Sequence, residues 1–231
     1  MCAPQTTSRE TAVTDTRTAM GTLAMSRDRI LRLAAQQEGL FHQAQLDLPC
    51  ATTVLDHLAR QGEVVPVRPD VYRHAAHPEH SDQRARASWI ATDGETLNRD
   101  RCDGARPRRA VIGGSSAARR FGLALAIDPL LWVCADATWP TDGSDWMLGD
   151  VDDTDVMVAR GGYPYTSLER TISDALLLGA TPRSVLAALL AKPPSRERLD
   201  RHHLVEMLDR STAGRRLVTL LPDPSLIRRN P

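Results

Sequence analysis

Lysine is nearly absent from this chain: among 29 basic residues, Lys192 is the single lysine. Positive charge is therefore carried by arginine, whose planar guanidinium suits bidentate contact with phosphates and base edges. The larger share of that bias is expected to come from a GC-rich genome rather than from function. Net charge is also missing. It is formally zero over 231 residues, so bulk electrostatics single out no polyanion. Paired cysteines are missing too. Cys2, Cys50, Cys102 and Cys134 are scattered, which argues against a zinc site or a disulfide framework and suits a reducing compartment. No apolar run is long enough to span a membrane, and the N-terminus has no apolar signal core. These absences point to a cytoplasmic protein without a membrane partner.

What is present is concentrated between Met25 and Ala76. Ser26 is a good helix N-cap, with Asp28 in the turn that follows. Ile30, Leu31, Leu33 and Ala34 form an apolar stripe at helical spacing, and Gly39 ends that helix. Leu40 and Phe41 enter the core. A short second helix is expected over 42–46, and Pro49 breaks the chain. A third helix is expected over 51–60, with Ala51, Val54, Leu55 and Leu58 on one face and Gly62 closing it. Val64, Val65 and Val67 read as a strand, Pro69 and Asp70 as a turn, and Val71 to Arg73 as the returning strand. This order of elements is a winged helix-turn-helix, which lays its third helix in the DNA major groove.

On that reading, Thr52, Thr53, Asp56, His57 and Arg60 occupy the outer face of the third helix, facing bases and phosphates. Arg68 and Arg73 lie on the wing. The segment is not basic overall, since Asp28, Glu38, Asp47, Asp56, Glu63 and Asp70 oppose its arginines. Winged helices also serve as protein-interaction modules, so this balance keeps a second reading open.

The remainder alternates strand and helix patterns, with helices gathered late. A helix is expected over 81–91. A polar, locally basic loop follows over 92–109, containing Arg99, Arg101, Arg106, Arg108 and Arg109. Strands are expected near 110–112, 130–134 and 154–159, and a helix over 115–121. Asp142, Asp145, Asp150, Asp152, Asp153 and Asp155 read as a solvated acidic loop. Thr166 or Ser167 caps a helix running to about Leu178, with Glu169 at capping-box spacing from Thr166. Further helices are expected over 181–191, 195–208 and 211–221. The expected chain is α+β: a disordered tail over 1–25, a winged helix-turn-helix over 26–80, and a mixed α/β domain over 81–231 ending in helices.

Three stretches carry a family resemblance: LARQGEVVPVRPDVYRHA, VIGGSSAARRFGL and YPYTSLERTISDAL. In this order they resemble the AbiEi-type antitoxins of type IV toxin–antitoxin systems. The first is similar to that family's Gly-bounded wing hairpin with its Val-Tyr pair. The second is similar to its strand, Ser-Ala helix and Gly-Leu stop, and the third to its Thr-Ser, Arg-Thr and Asp run. The chain departs from the pattern at Asp70, where the family usually has glycine. Some relatives continue into a nuclease-like domain after a segment similar to AGRRLVTLLPDPS. The resemblance implies a repressor that binds double-stranded DNA at its own promoter and counteracts a nucleotidyltransferase-like toxin. No cofactor is expected.

Enzymatic readings find less support. Gly114 and Ser115 before a helix are similar to the opening of nucleotidyltransferases, but that chemistry needs paired carboxylates for magnesium. Asp128 stands alone, and Asp150 with Asp152 lies far downstream. A metal-dependent nuclease strand needs a lysine that Lys192, beside two prolines, does not supply. His202 and His203 are adjacent and cannot form an i, i+4 zinc pair. Arg170 and Asp174 sit four apart, as an ion pair does. Ser167 and Thr171 read as cap and helix-surface residues rather than nucleophiles. No catalytic or metal residue is assigned. The alternatives to an antitoxin are a stand-alone winged-helix regulator, an interaction module, or a nucleotidyltransferase-type enzyme.

Overall fold

The structure, a computed structural model, describes residues 9–48, 50–101, 110–133, 146–149, 151–191 and 199–221. The chain divides into two compact units, Met1–Pro78 and Glu79–Pro231.

The first unit is built on helix α1 (Arg9–Gln36). The helix runs through the expected start at Ser26, so residues 9–25, expected as tail, are helical. Residues 1–8 lie outside the described residues. Ser26 is no cap. It sits on the buried stripe with Ile30, Leu33, Ala34 and Gln37, at helical spacing. Asp28 is likewise inside the helix, paired with Arg32 one turn on, and Leu31 faces outward, 45% exposed. Gly39, at φ 94°, ends the helix as expected. Its N–H donates to the Ala34 carbonyl at 2.7 Å, a closing bond that a left-handed residue permits.

Strand β1 (Leu40–His42) follows, then a 3-10 turn over Gln43–Leu46, helix α2 (Ala51–Arg60), and strands β2 (Val64–Arg68) and β3 (Val71–His74). The second helix of the expected motif is thus a 3-10 turn. His42 caps it through Nδ1, and Gln45 returns a bond to the His42 N–H. The three strands form an antiparallel sheet in the order β1-β3-β2. Leu40, Phe41, Leu46, Leu55, Leu58, Val64 and Val71 are buried, and Phe41 stacks on Tyr72 with ring centroids 6.0 Å apart. At the wing turn Asp70 takes φ 58°. That left-handed conformation favours glycine and is tolerated by Asp, so the departure from the family pattern leaves the turn intact.

The second unit carries helices α3 (Gln83–Ala91) and α4 (Asn98–Arg101), strand β4 (Ala110–Gly113), helix α5 (Gly114–Arg120), and strands β5 (Pro129–Val133), β6 (Trp146–Leu148), β7 (Val156–Val158) and β8 (Pro164–Thr166). Helices α6 (Leu168–Leu177), α7 (Pro182–Ala191), α8 (Arg201–Leu208) and α9 (Thr212–Leu220) complete it. The mixed five-stranded sheet has the order β6-β5-β4-β8-β7. Strand β4 is central, antiparallel to β5 and parallel to β8. The two outer pairs are β5 with β6, parallel, and β7 with β8, antiparallel.

Apolar positions explain the assembly. Val111, Leu130 and Trp132 share one face of the sheet and pack with Met147, Val156 and Leu178. Phe121, Leu123, Leu168, Ile172, Val185, Leu204, Leu208 and Leu217 form the helical core. The whole is an α+β chain: a winged helix-turn-helix followed by a mixed α/β unit ending in helices. Among the described residues, no helix is long and apolar enough to cross a membrane.

Candidate nucleic-acid interface

Helix α2 turns Leu55 and Leu58 inward and leaves Thr52, Thr53, Asp56 and Arg60 exposed, with His57 half-buried. The seam is helical periodicity: positions 55 and 58 are three apart on one side, while 52, 53, 56 and 60 follow the other. The Arg60 Nε–H donates back to the Asp56 carbonyl at 3.2 Å. The Thr52 hydroxyl oxygen accepts from the Gln43 amide at 2.9 Å.

The arginines around this helix are largely committed. Arg27 holds Glu63 with two bonds, at 2.9 and 2.5 Å, and reaches Gln61 at 2.6 Å. Arg29 lies 3.4 Å from Asp47, and Arg32 pairs with Asp28. On the wing, Arg68 is half-buried, and burial pulls its guanidinium below the usual arginine range. Arg73 donates to the His77 carbonyl at 2.5 Å from a half-buried position. Burial, then Asp56, then Asp70 push the Tyr72 hydroxyl above its ordinary range. One side of the α2–wing surface is therefore acidic, and Arg60 supplies the exposed positive charge on α2 itself.

In the second unit the Arg170–Asp174 pair forms as expected, with Nε donating to Oδ1 at 2.9 Å. It belongs to a larger cluster. Arg170 lies over the Trp132 ring at 4.5 Å, the Trp132 indole N–H donates to Asp174 Oδ2 at 2.9 Å, and Arg170 approaches Asp155 at 3.6 Å. The Asp155 carboxylate also meets His203 Nε2 at 2.7 Å. Asp155 is thus buried and paired, not part of a solvated loop. Asp152 and Asp153 are exposed, whereas Asp142, Asp145 and Asp150 lie outside the described residues.

Other expectations change for local reasons. Ser167 is the α6 cap, accepting from the Arg170 N–H. Thr166 ends β8 instead, and its hydroxyl meets that of Thr171, which is buried rather than on the helix surface. Glu169 accepts from the Asp200 N–H at 2.6 Å and closes no capping box. Arg101 is buried: it stacks on Trp89 with 3.6 Å to the ring centroid and donates to the Trp89 carbonyl and the Thr92 hydroxyl. It therefore presents no charge to a nucleic acid. Arg99 is exposed beside Asp100, and Arg106, Arg108 and Arg109 lie outside the described residues.

The Gly-Ser opening serves packing. Gly114 sits at φ 57°, where a Cβ would run into the Asp128 carbonyl and the start of β5. The Ser115 N–H donates to that carbonyl, and the Ser115 hydroxyl, itself buried, accepts from Arg119. Among the described residues, no three His, Cys, Asp or Glu side chains gather to hold a metal ion.

His203 gives a pH prediction. Its hydrogen bond to Asp155 holds the imidazolium above the usual histidine range, against a smaller opposing effect of burial. A raised folded-state value contributes stability that is full below about pH 6.5 and is lost as pH rises through that folded value. The side chain is 32% exposed, so the loss is expected to stay below about 1 kcal/mol. Thermal unfolding at pH 5.5 and 8.5 should show it in the wild type and not in His203→Gln. Equal pH responses would remove His203 as its source.

Comparison with known proteins gives a distant likeness. A solved structure, the crystal structure of RV2827C protein from Mycobacterium tuberculosis, matches at 14% sequence identity with a TM-score of 0.41, covering 90% of this chain and 83% of that one. A likeness of that degree establishes neither family nor activity. No protein-family model and no curated protein matches the chain.

Proposed function

We propose that this protein is a cytoplasmic, non-enzymatic transcriptional autorepressor that binds double-stranded DNA through α2 and the β2–β3 wing. We further propose that it is the antitoxin of a type IV toxin–antitoxin system, acting against a nucleotidyltransferase-like toxin. The observation that carries the DNA reading is the exposed row Thr52, Thr53, Asp56 and Arg60, on the third helix of a winged helix-turn-helix. Threonine can meet a thymine methyl, Asp can accept from a cytosine amine, and Arg can bridge a guanine. Support for the antitoxin role comes from the three ordered motifs. The second and third supply β4–α5 and β8–α6, whose strands are parallel neighbours with Ile112 beside Tyr165. The two stretches thus form one continuous part of the second unit.

A protein-interaction role for the winged helix is the second reading. It is favoured by the pairing of Arg27, Arg29 and Arg32 with carboxylates, which leaves a weak positive footprint.

A gel-shift titration over the upstream region tests the first reading. Arg60→Ala should weaken operator binding by about 1–3 kcal/mol. No shift at low salt with folded protein leaves the interaction module. Co-expression with the product of the neighbouring reading frame tests the rest: growth rescue from its toxicity supports the antitoxin, and repression without rescue leaves a stand-alone regulator.

A further inference from the structure

Gln43 occupies an unusual place in the first unit. Its backbone N–H donates to the carbonyl of Asp70, at the wing turn, at 2.7 Å. Its side-chain amide donates to Thr52 Oγ1, in the first turn of α2, at 2.9 Å. One residue therefore ties the wing turn to the N-terminal turn of the exposed helix. The short 3-10 turn that carries Gln43 is itself held. His42 and Gln45 cap it reciprocally, and Gln45 Oε1 accepts from the buried Gln37 amide at 2.9 Å.

The consequence falls on Thr52. The χ1 angle of an exposed threonine divides mainly between two staggered rotamers. The two rotamers present different chemistry to a neighbour. One turns the methyl outward, which selects thymine in a major groove; the other turns the hydroxyl outward, which reads either base edge. Donation from Gln43 fixes Thr52 Oγ1 on the side of the 3-10 turn and so selects one rotamer. The N-cap of helix α2, Cys50, makes no side-chain capping bond.

We propose that Gln43 is a specificity-determining positioning residue for DNA recognition, acting through the Thr52 rotamer. The proposal rests on the DNA-binding reading above. Gln43 itself need touch no base. Its loss should relax sequence preference at the base pair that Thr52 faces, while leaving the phosphate contacts unchanged.

The experiment uses the full chain and the upstream DNA that the wild type shifts. Gln43→Ala should weaken operator binding about 2- to 10-fold, the loss of one ordinary hydrogen bond. A randomised-operator selection should show the preference broadened at a single base pair, with an unchanged slope of log K against log salt. In a Thr52→Ala background, Gln43→Ala should add nothing. Three-bond couplings of Thr52 in the unbound wild type should report one χ1 rotamer, a measurement that requires no variant to fold. An unchanged base preference, an equal effect of Gln43→Ala with and without Thr52, or rotamer averaging at Thr52 in the wild type would each overturn the positioning role alone. Failure of the wild type to bind any upstream DNA would overturn it together with the DNA reading.

Discussion

Asp174→Ala is expected to destabilise the second unit by about 3–5 kcal/mol, the range for removing one partner of a buried ion pair. Asp174 is 2% exposed and answers two donors at once, Arg170 Nε at 2.9 Å and the Trp132 indole N–H at 2.9 Å. Burial pushes its carboxyl above the usual range. The indole bond and the Arg170 charge pull the other way without fully offsetting it. Alanine removes both acceptors. The indole N–H is then buried without that acceptor, and Arg170 keeps the Trp132 ring and, at the longer distance of 3.6 Å, Asp155. Asp174→Asn keeps an acceptor for one donor and should cost less, about 1–3 kcal/mol. Urea unfolding of the full chain, followed by tryptophan fluorescence, measures both. An alanine variant within about 0.5 kcal/mol of wild type, as for an ordinary surface change, would refute this account.

The same cluster shows what could be read from residue order. Arg170 and Asp174 are four apart on one helix, and that spacing alone places them side by side. Trp132 and His203 join from 42 and 48 residues away from their partners, and nothing local announces such contacts. Asp155 was hidden by its neighbours: a run of aspartates has the composition of a solvated loop, and only tertiary packing turns one of them inward. Helix α2 was legible to the residue because its apolar spacing and Gly62 agree. Ser26 misled for the opposite reason. A capping residue type sits there on a buried stripe, and the helix simply continues through it. Strands β6 and β8 are three residues each, too short for alternation to register, and β8 is buried throughout. The Thr166–Glu169 spacing imitated a capping box because a strand ending cannot be told from a helix cap before the strand is known. At the exposed face of α2, periodicity identified Thr52, Thr53, Asp56 and Arg60 as outward, whereas His57, also expected there, is half-buried. The hold of Gln43 on Thr52 depends on how the 3-10 turn folds back, which no spacing rule describes.

Asp82→Ala should carry a cost of similar size, about 3–5 kcal/mol, for a different arrangement. Asp82 and Arg86 are 9% and 6% exposed and lie 3.0 Å apart. The Arg86 Nε–H also donates to the Tyr165 hydroxyl at 2.9 Å, and that hydroxyl donates to Asp82. Arg86 further lies 4.9 Å from the Tyr163 ring centroid. Because β8 carries Tyr163's neighbour Pro164 through Thr166, this triangle fastens α3 to the sheet. Removing Asp82 takes away the carboxylate that lies 3.0 Å from the buried guanidinium, and the neutral Tyr165 phenol does not replace that charge. Removing only the phenol, in Tyr165→Phe, keeps the ion pair and should cost about 1–3 kcal/mol. The two variants also part in alkali. Burial, and then the nearby Asp82 carboxylate, push the Tyr165 hydroxyl far above its ordinary range. The folded state therefore holds a proton that the unfolded chain releases near pH 10. Stability must fall as pH rises beyond that point, by up to about 1.4 kcal/mol per pH unit for this one group. Tyr165→Phe should flatten that alkaline limb, while Asp82→Ala should lower stability already at neutral pH. An alkaline slope that persists unchanged in Tyr165→Phe would place the titrating group elsewhere. A neutral-pH cost for Asp82→Ala no larger than that of Tyr165→Phe would mean that the charge pair is not what fastens α3.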